Sequence, residues 1–100
     1  MKKTLFTQYI SHICRLYQIK EQELFSRSKK HALSEARHLL YYLCYERKIR
    51  IIDIQTYMEE SGYKVQHSSV IHGIRGIKKR VANDMDYANV TEKIQDSVTI

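Results

Sequence analysis

No proline interrupts this chain, and its apolar residues return at every third or fourth position from one end to the other. Strands joined by tight turns need glycine and proline at their corners, and only three glycines are present. The architecture left open is a compact all-α bundle. One hundred residues supply one such core and not two, so residues 1–100 are expected to form a single domain. No apolar run approaches the roughly 18 residues that a membrane span needs. The stretch Met1–Gln8 begins like a secretory leader, but Thr7 and Gln8 break its apolar run. No targeting segment is expected.

The periodicity predicts about six helices. Phe6, Ile10, Ile13, Cys14 and Tyr17 mark a first helix from about Thr4, a possible cap, to Tyr17. A short second helix runs near Lys20–Phe25. The third, about Ala32–Lys48, is the longest, and Leu33, Ala36, Leu40, Leu43 and Cys44 share one side of it. Leu39, Tyr42 and Tyr45 widen that apolar face, as expected of a central helix with several neighbours. Its tyrosines read as packing groups before they read as base-stacking groups. A fourth helix from Ile51 to about Ser61 carries Asp53 at its positive end, and Gly62 suits its C-terminus. Tyr87, Val90, Ile94 and Val98 mark a last helix, about Asp86–Val98, expected to close the back of the bundle.

The fifth segment carries the chemistry. Val70, Ile74, Ile77 and Val81 form one apolar stripe. Gln66, His67, Ser68 and Ser69 crowd its first turn with donors and acceptors, and Arg75, Lys78, Lys79 and Arg80 load its later turns with positive charge. An anchored helix with a hydrogen-bonding tip suits the major groove of a duplex. Together with the fourth helix and the turn Gly62–Val65 it reads as a helix-turn-helix with a turn longer than the minimal form. The formal net charge is +6. The first fifty residues carry a balance of +7 and the last fifty −1. Three fixed cations, Arg27, Lys29 and Lys30, fall in an apolar-free loop before the third helix. A polyanion is the natural partner of such a surface.

The stretch from Ser26 to His38, leading on to Leu43 and Glu46, resembles the basic loop and long helix of the C-terminal DNA-binding domain of the bacterial replication initiator DnaA. His67-Ser68-Ser69-Val70-Ile71-His72 is similar to that domain's signature, His-Thr-Thr-Val-Leu-His. The resemblance extends from about residue 7 to the end. It implies a Trp-repressor-like helix-turn-helix bundle that recognises a short duplex site, in replication initiation or its regulation. By position, Lys29 matches a family arginine that enters the minor groove, and Arg37 one that approaches DNA from the start of the long helix. His67, Ser68 and Ser69 match the triplet that meets bases and phosphates, and Ile71 a contacting leucine. Where the family has Gly-Gly-Arg-Asp before the histidine, this chain has Gly62-Tyr63-Lys64-Val65-Gln66. Gln66 offers donors as well as an acceptor where aspartate only accepts.

Arg27, Lys29, Lys30, Arg37, His38, Lys48, Arg50, Lys64, Gln66, His67, Ser68, Ser69, Ile71 and Arg75 are the resulting candidate DNA-binding residues. Gln66 and His67 are placed at base edges and the cations at phosphates. No nucleophile–base–orienter set is visible, so a non-enzyme is expected. No glycine-rich phosphate loop occurs either, and the chain reads as a piece of a larger protein or as a small stand-alone relative. Neither Cys14 nor Cys44 has metal-ligand spacing, and both read as buried free thiols in a reducing cytosol. No metal or cofactor is expected. The expected partner is double-stranded DNA, met by a monomer in the cytoplasm of a bacterium or encoded by a phage, with protein partners in a replication or regulatory complex possible. The alternatives are a transcriptional regulator of phage or plasmid type and a protein-interaction module that has lost DNA binding.

Overall fold

A computed structural model describes residues 2–98. The described residues form six helices and no strand: α1 (Lys2–Tyr17), α2 (Glu21–Leu24), α3 (His31–Glu46), α4 (Ile51–Glu60), α5 (His67–Asn83) and α6 (Met85–Ser97). The expected segments are all present. The first starts two residues early, so Thr4 lies inside α1 and does not cap it.

The central helix is α3, with α1 and α5 packed along it. From Leu33 to Cys44 it buries nine residues, among them Ala36, Leu39, Leu40 and Leu43 with no exposed surface. That breadth follows from the wide apolar face of its sequence. Each fully buried leucine contributes about 1.5–3 kcal/mol. Tyr41 and Tyr42 join the core, whereas Tyr45, expected on the apolar face, is 41% exposed. Phe6, Tyr9 and Ile13 of α1 close one side, and Val70, Ile74 and Ile77 of α5 the other. Gly73 sits where α5 crosses α3. A Cβ there would lie 2.8 Å from Cδ2 of His38 and 3.0 Å from Cδ2 of Tyr41. Cys44 is buried, but Cys14 is only half-buried, and the two are free thiols.

Three helices stop in the same way. Gln18, Lys48 and Gly62 adopt positive φ (54°, 68° and 99°) just past α1, α3 and α4. The next N–H in each case, of Ile19, Ile49 and Tyr63, donates back to the carbonyl of Cys14, Cys44 and Met58 at 3.0, 3.1 and 2.9 Å. This left-handed closure satisfies the orphan carbonyls of the last turn. Only the third end uses glycine, which adopts the conformation without steric cost. It directs the chain out of α4 and into the connection 61–66 that leads to α5.

Candidate nucleic-acid interface

The first turn of α5 stands clear of the protein. Gln66, His67, Ser68 and Ser69 are all exposed, and the buried stripe begins at Val70. Gln66 occupies the N-cap position, yet its side chain makes no capping hydrogen bond. Its carbonyl takes the N–H groups of Ser69 and Val70 at 3.1 and 3.2 Å. The N–H groups of His67 and Ser68 are the ones a first turn leaves without an intrahelical acceptor, at the positive end of the helix dipole. Gln55 of α4 steadies this end. Its Nε2 donates to the Val65 carbonyl at 3.2 Å, and its Oε1 lies 3.4 Å from Nδ1 of His67.

Beside the tip is a cleft of about 670 Å³ built from four segments. Ser68, Ser69 and His72 come from α5, and Tyr63–Gln66 from the connection before it. Ser34, Arg37, His38 and Tyr41 come from one face of α3, at the spacing of successive turns. Arg27, Ser28 and Lys29 come from the loop that precedes α3. No carboxylate lies among these lining residues. Lys29, Lys30 and Lys64 are exposed and belong to no ion pair among the described residues. A concentration of positive charge around uncapped N–H groups suits an anion.

Arg37 differs from its expected role at the DNA backbone. It is 4% exposed. Its Nε donates to the Leu24 carbonyl at 2.7 Å, and its Nη2 to the carbonyls of Ser26 and Ser28 at 2.6 and 3.1 Å. A buried guanidinium whose Nε and Nη2 donors are engaged by three carbonyls shapes the loop that carries Lys29. It is not free to follow a phosphate. His38 is half-buried and meets His72 edge-on, with ring centroids 6.1 Å apart. Burial, reinforced by His72 and Arg37, holds its pKa below the ordinary histidine value.

The remaining candidates divide. Arg75 is exposed and continues the face of Ser68 and His72 along α5. Lys30 is exposed next to the cleft-lining Lys29. Ile71 is half-buried and outside the cleft lining. Lys48 and Arg50 are not brought to the cleft at all. They follow the far end of α3, roughly 20 Å along the axis from Ser34 at 1.5 Å per residue. Arg50 there faces Asp53, with Nε at 3.1 Å from Oδ2. Arg80, expected on the cationic flank of α5, instead pairs with Glu35 at 2.5 Å and covers the Tyr87 ring at 4.0 Å.

Six residues of the lining, Ser28, Ser34, Tyr41, Tyr63, Val65 and His72, lie outside the expected set. Ser34 and Tyr41 were recoverable, because they share the helical spacing of Arg37 and His38. His72 follows Ser68 by one turn in the same way. Tyr63 had no such signal. Its ring lies under two guanidiniums, Arg27 and Arg37, each 4.6 Å from the centroid. Among the described residues, no group of three His, Cys, Asp or Glu side chains could hold a metal ion. No helix there is long and apolar enough to cross a membrane.

No family model matches the chain. Over 84 residues it is 27% identical to the chromosomal replication initiator protein DnaA of Geotalea uraniireducens (strain Rf4). The match takes in 84% of this chain and 18% of that protein, so the chain spans less than a fifth of the relative's length. The similarity, with the all-helical fold, suggests a DnaA-related helical domain.

Proposed function

We propose that this chain is a double-stranded DNA-binding domain of the helix-turn-helix type, acting in replication initiation or its regulation. In this reading α4, the connection 61–66 and α5 form the motif, and the first turn of α5 enters the major groove. Gln66 reads base edges, where glutamine can make two hydrogen bonds to adenine. His67 reads beside it, its ring oriented by Gln55. Ser68 and Ser69, with the free N–H groups of the first turn, hold a phosphate. Lys29 and Lys30 reach the adjacent minor groove or its phosphates, and Arg27, Lys64 and Arg75 contact the backbone. Affinity comes mostly from the phosphates and choice of site from the base edges.

The observation that carries this reading is the joint exposure of the α5 tip and the unpaired loop lysines around one carboxylate-free cleft. Mobility-shift titration of the chain with random duplex DNA, with heparin as competitor, tests it. About five engaged cations predict a slope of log K against log salt near −4 to −5. Lys29→Ala with Lys30→Ala should weaken every duplex and flatten that slope by about 2. Ser68→Ala with Ser69→Ala should instead reduce the enrichment obtained by selection from a random duplex library. Binding that ignores salt, or no binding, overturns the proposal, and no binding favours a module that meets proteins instead.

A further inference from the structure

We infer that Tyr63 is a positioning residue that holds the lysine-bearing loop in register with the tip of α5. The inference deepens the proposed function and rests on it for its consequence in DNA binding. Two irregular segments flank the cleft, the loop 25–30 and the connection 61–66, and neither has a helical backbone to fix it. Tyr63 joins them through side chains. Arg37 provides the foundation. It projects from α3 and is immobilised by the carbonyls of Leu24, Ser26 and Ser28. The Tyr63 ring lies against that guanidinium, and Arg27 from the loop lies against the same ring. Arg27 then donates through Nη1 to the Lys64 carbonyl at 3.1 Å, which closes the circuit from loop back to connection. A planar guanidinium on an aromatic face keeps that attraction while its in-plane N–H groups donate to carbonyls.

The circuit fixes the distance that a two-part reader needs. Lys29 is two residues from Arg27, and Gln66 is three from Tyr63. Without the ring, Arg37 still holds Ser26 and Ser28, but Arg27 loses its platform and the connection loses its tie to α3. Tyr63 lies within the stretch where the turn departs from the resembled family's pattern.

The experiment uses the chain with wild-type sequence, Tyr63→Phe, which keeps the ring, and Tyr63→Leu, which removes it. Each is paired with Lys29→Ala. Amide exchange of residues 27–30 is measured without DNA, and duplex affinity with it. The Tyr63→Leu variant should raise exchange in the loop by about tenfold or more relative to wild type, with the helices unchanged and the Tyr63→Phe variant like wild type. Lys29→Ala should weaken duplex binding by about tenfold in the wild-type and Tyr63→Phe backgrounds and by less than about threefold in the Tyr63→Leu background. Should Tyr63→Leu not fold, Arg27→Gln removes the loop-side half of the circuit at an exposed position and must give the same loosening. Equal loop exchange in all variants, or an undiminished Lys29→Ala effect in the Tyr63→Leu background, overturns the inference. A wild-type chain that binds no duplex overturns the proposed function, and the exchange measurement then decides the role of Tyr63 alone.

Discussion

The two ends of α3 treat positive charge in opposite ways. At the C-terminal end most cations are matched among the described residues, Lys48 excepted. Arg47 donates to the carbonyls of Gln95 and Val98 at 2.7 and 3.3 Å, and Arg50 and Lys2 both face Asp53. At the N-terminal end Arg37 is matched by carbonyls, but Lys29, Lys30 and Lys64 stand exposed without acidic partners among the described residues. Surface ion pairs contribute only about 0–1 kcal/mol each, so the difference does little for stability. It changes the field instead. One end is largely neutralised internally, with Lys48 left over, and the other keeps most of its charge for something outside.

The largest effect should come from the residue that separates fold from site at the charged end. Arg37→Met leaves three carbonyls without their charged donor, at about 1–3 kcal/mol per unsatisfied group. A loss of about 3–5 kcal/mol is expected, because buried charge networks are costly to break. Thermal unfolding should shift down by roughly 15–30 °C for a domain of this size. Arg47→Met, at the other end, removes a guanidinium with two carbonyl acceptors and should shift it less. Equal losses at the two ends would mean that Arg37 contributes no more than ordinary helix-to-loop fastening.

Packing gives the next contrast, within α5. Gly73→Ala puts a methyl group 2.8 Å from the His38 ring, and overpacking of this kind costs about 1–3 kcal/mol. A Cβ at Gly76 meets nothing within 4 Å. Gly76→Ala should therefore stabilise by about 0.5–1 kcal/mol through helix propensity. Calorimetry of both variants checks this. A neutral Gly73→Ala would show that α3 and α5 can part at the cleft without penalty.

The fold was largely legible in the sequence because helical periodicity is a local signal. Val70, Ile74 and Ile77 announced both the helix and its buried side. The exposed tip from Gln66 to Ser69 was legible for the same reason, since it lies outside the stripe. The place of Arg37 is not legible locally, because a cation near a basic loop looks the same in sequence whether it meets a phosphate or three carbonyls. Only the loop's path, set by α2 and the turn after it, distinguishes the two. Tyr63 was invisible because its partners come from residues 27 and 37, and no local pattern encodes a contact between segments so far apart. Charge alone groups Lys48 and Arg50 with the site, although the length of α3 separates Lys48 from it.

Titration sharpens the comparison further. His38 lies at the cleft end, faced by His72 from α5 and by Arg37, Glu35 and His31 from its own helix. Burial first, then His72 and Arg37, lowers its pKa below the ordinary 6.5. The unfolded chain then binds its proton more readily than the folded one. Stability should fall as the pH drops through the unfolded value near 6.5, and level off once it passes below the depressed folded value. A neighbouring phosphate would favour the protonated ring, so duplex binding should strengthen over the same interval. Unfolding curves between pH 7.5 and about 5, with and without His38→Gln, test the sign. A slope unchanged by that substitution assigns the effect elsewhere, for instance to His12, whose pKa is also lowered by burial.

The smallest effect bears most directly on the contrast between the two ends. Lys48 closes α3 with φ at 68°, a conformation that costs a side-chain-bearing residue about 1 kcal/mol. Lys48→Gly removes that strain, and the greater freedom of glycine in the unfolded chain takes back part of the gain. A net stabilisation of about 0.5 kcal/mol is expected. The same substitution deletes a cation roughly 20 Å along α3 from the cleft, beyond the Debye length of about 8 Å at physiological salt. Duplex affinity should therefore change by less than about twofold, with the salt slope intact. Lys29→Ala, which also removes one charge, should lower both. If Lys48→Gly weakened duplexes as much as Lys29→Ala, the charge at the far end would belong to the same footprint. A duplex would then have to lie along the length of α3, and the cleft at its beginning would be only one part of the contact.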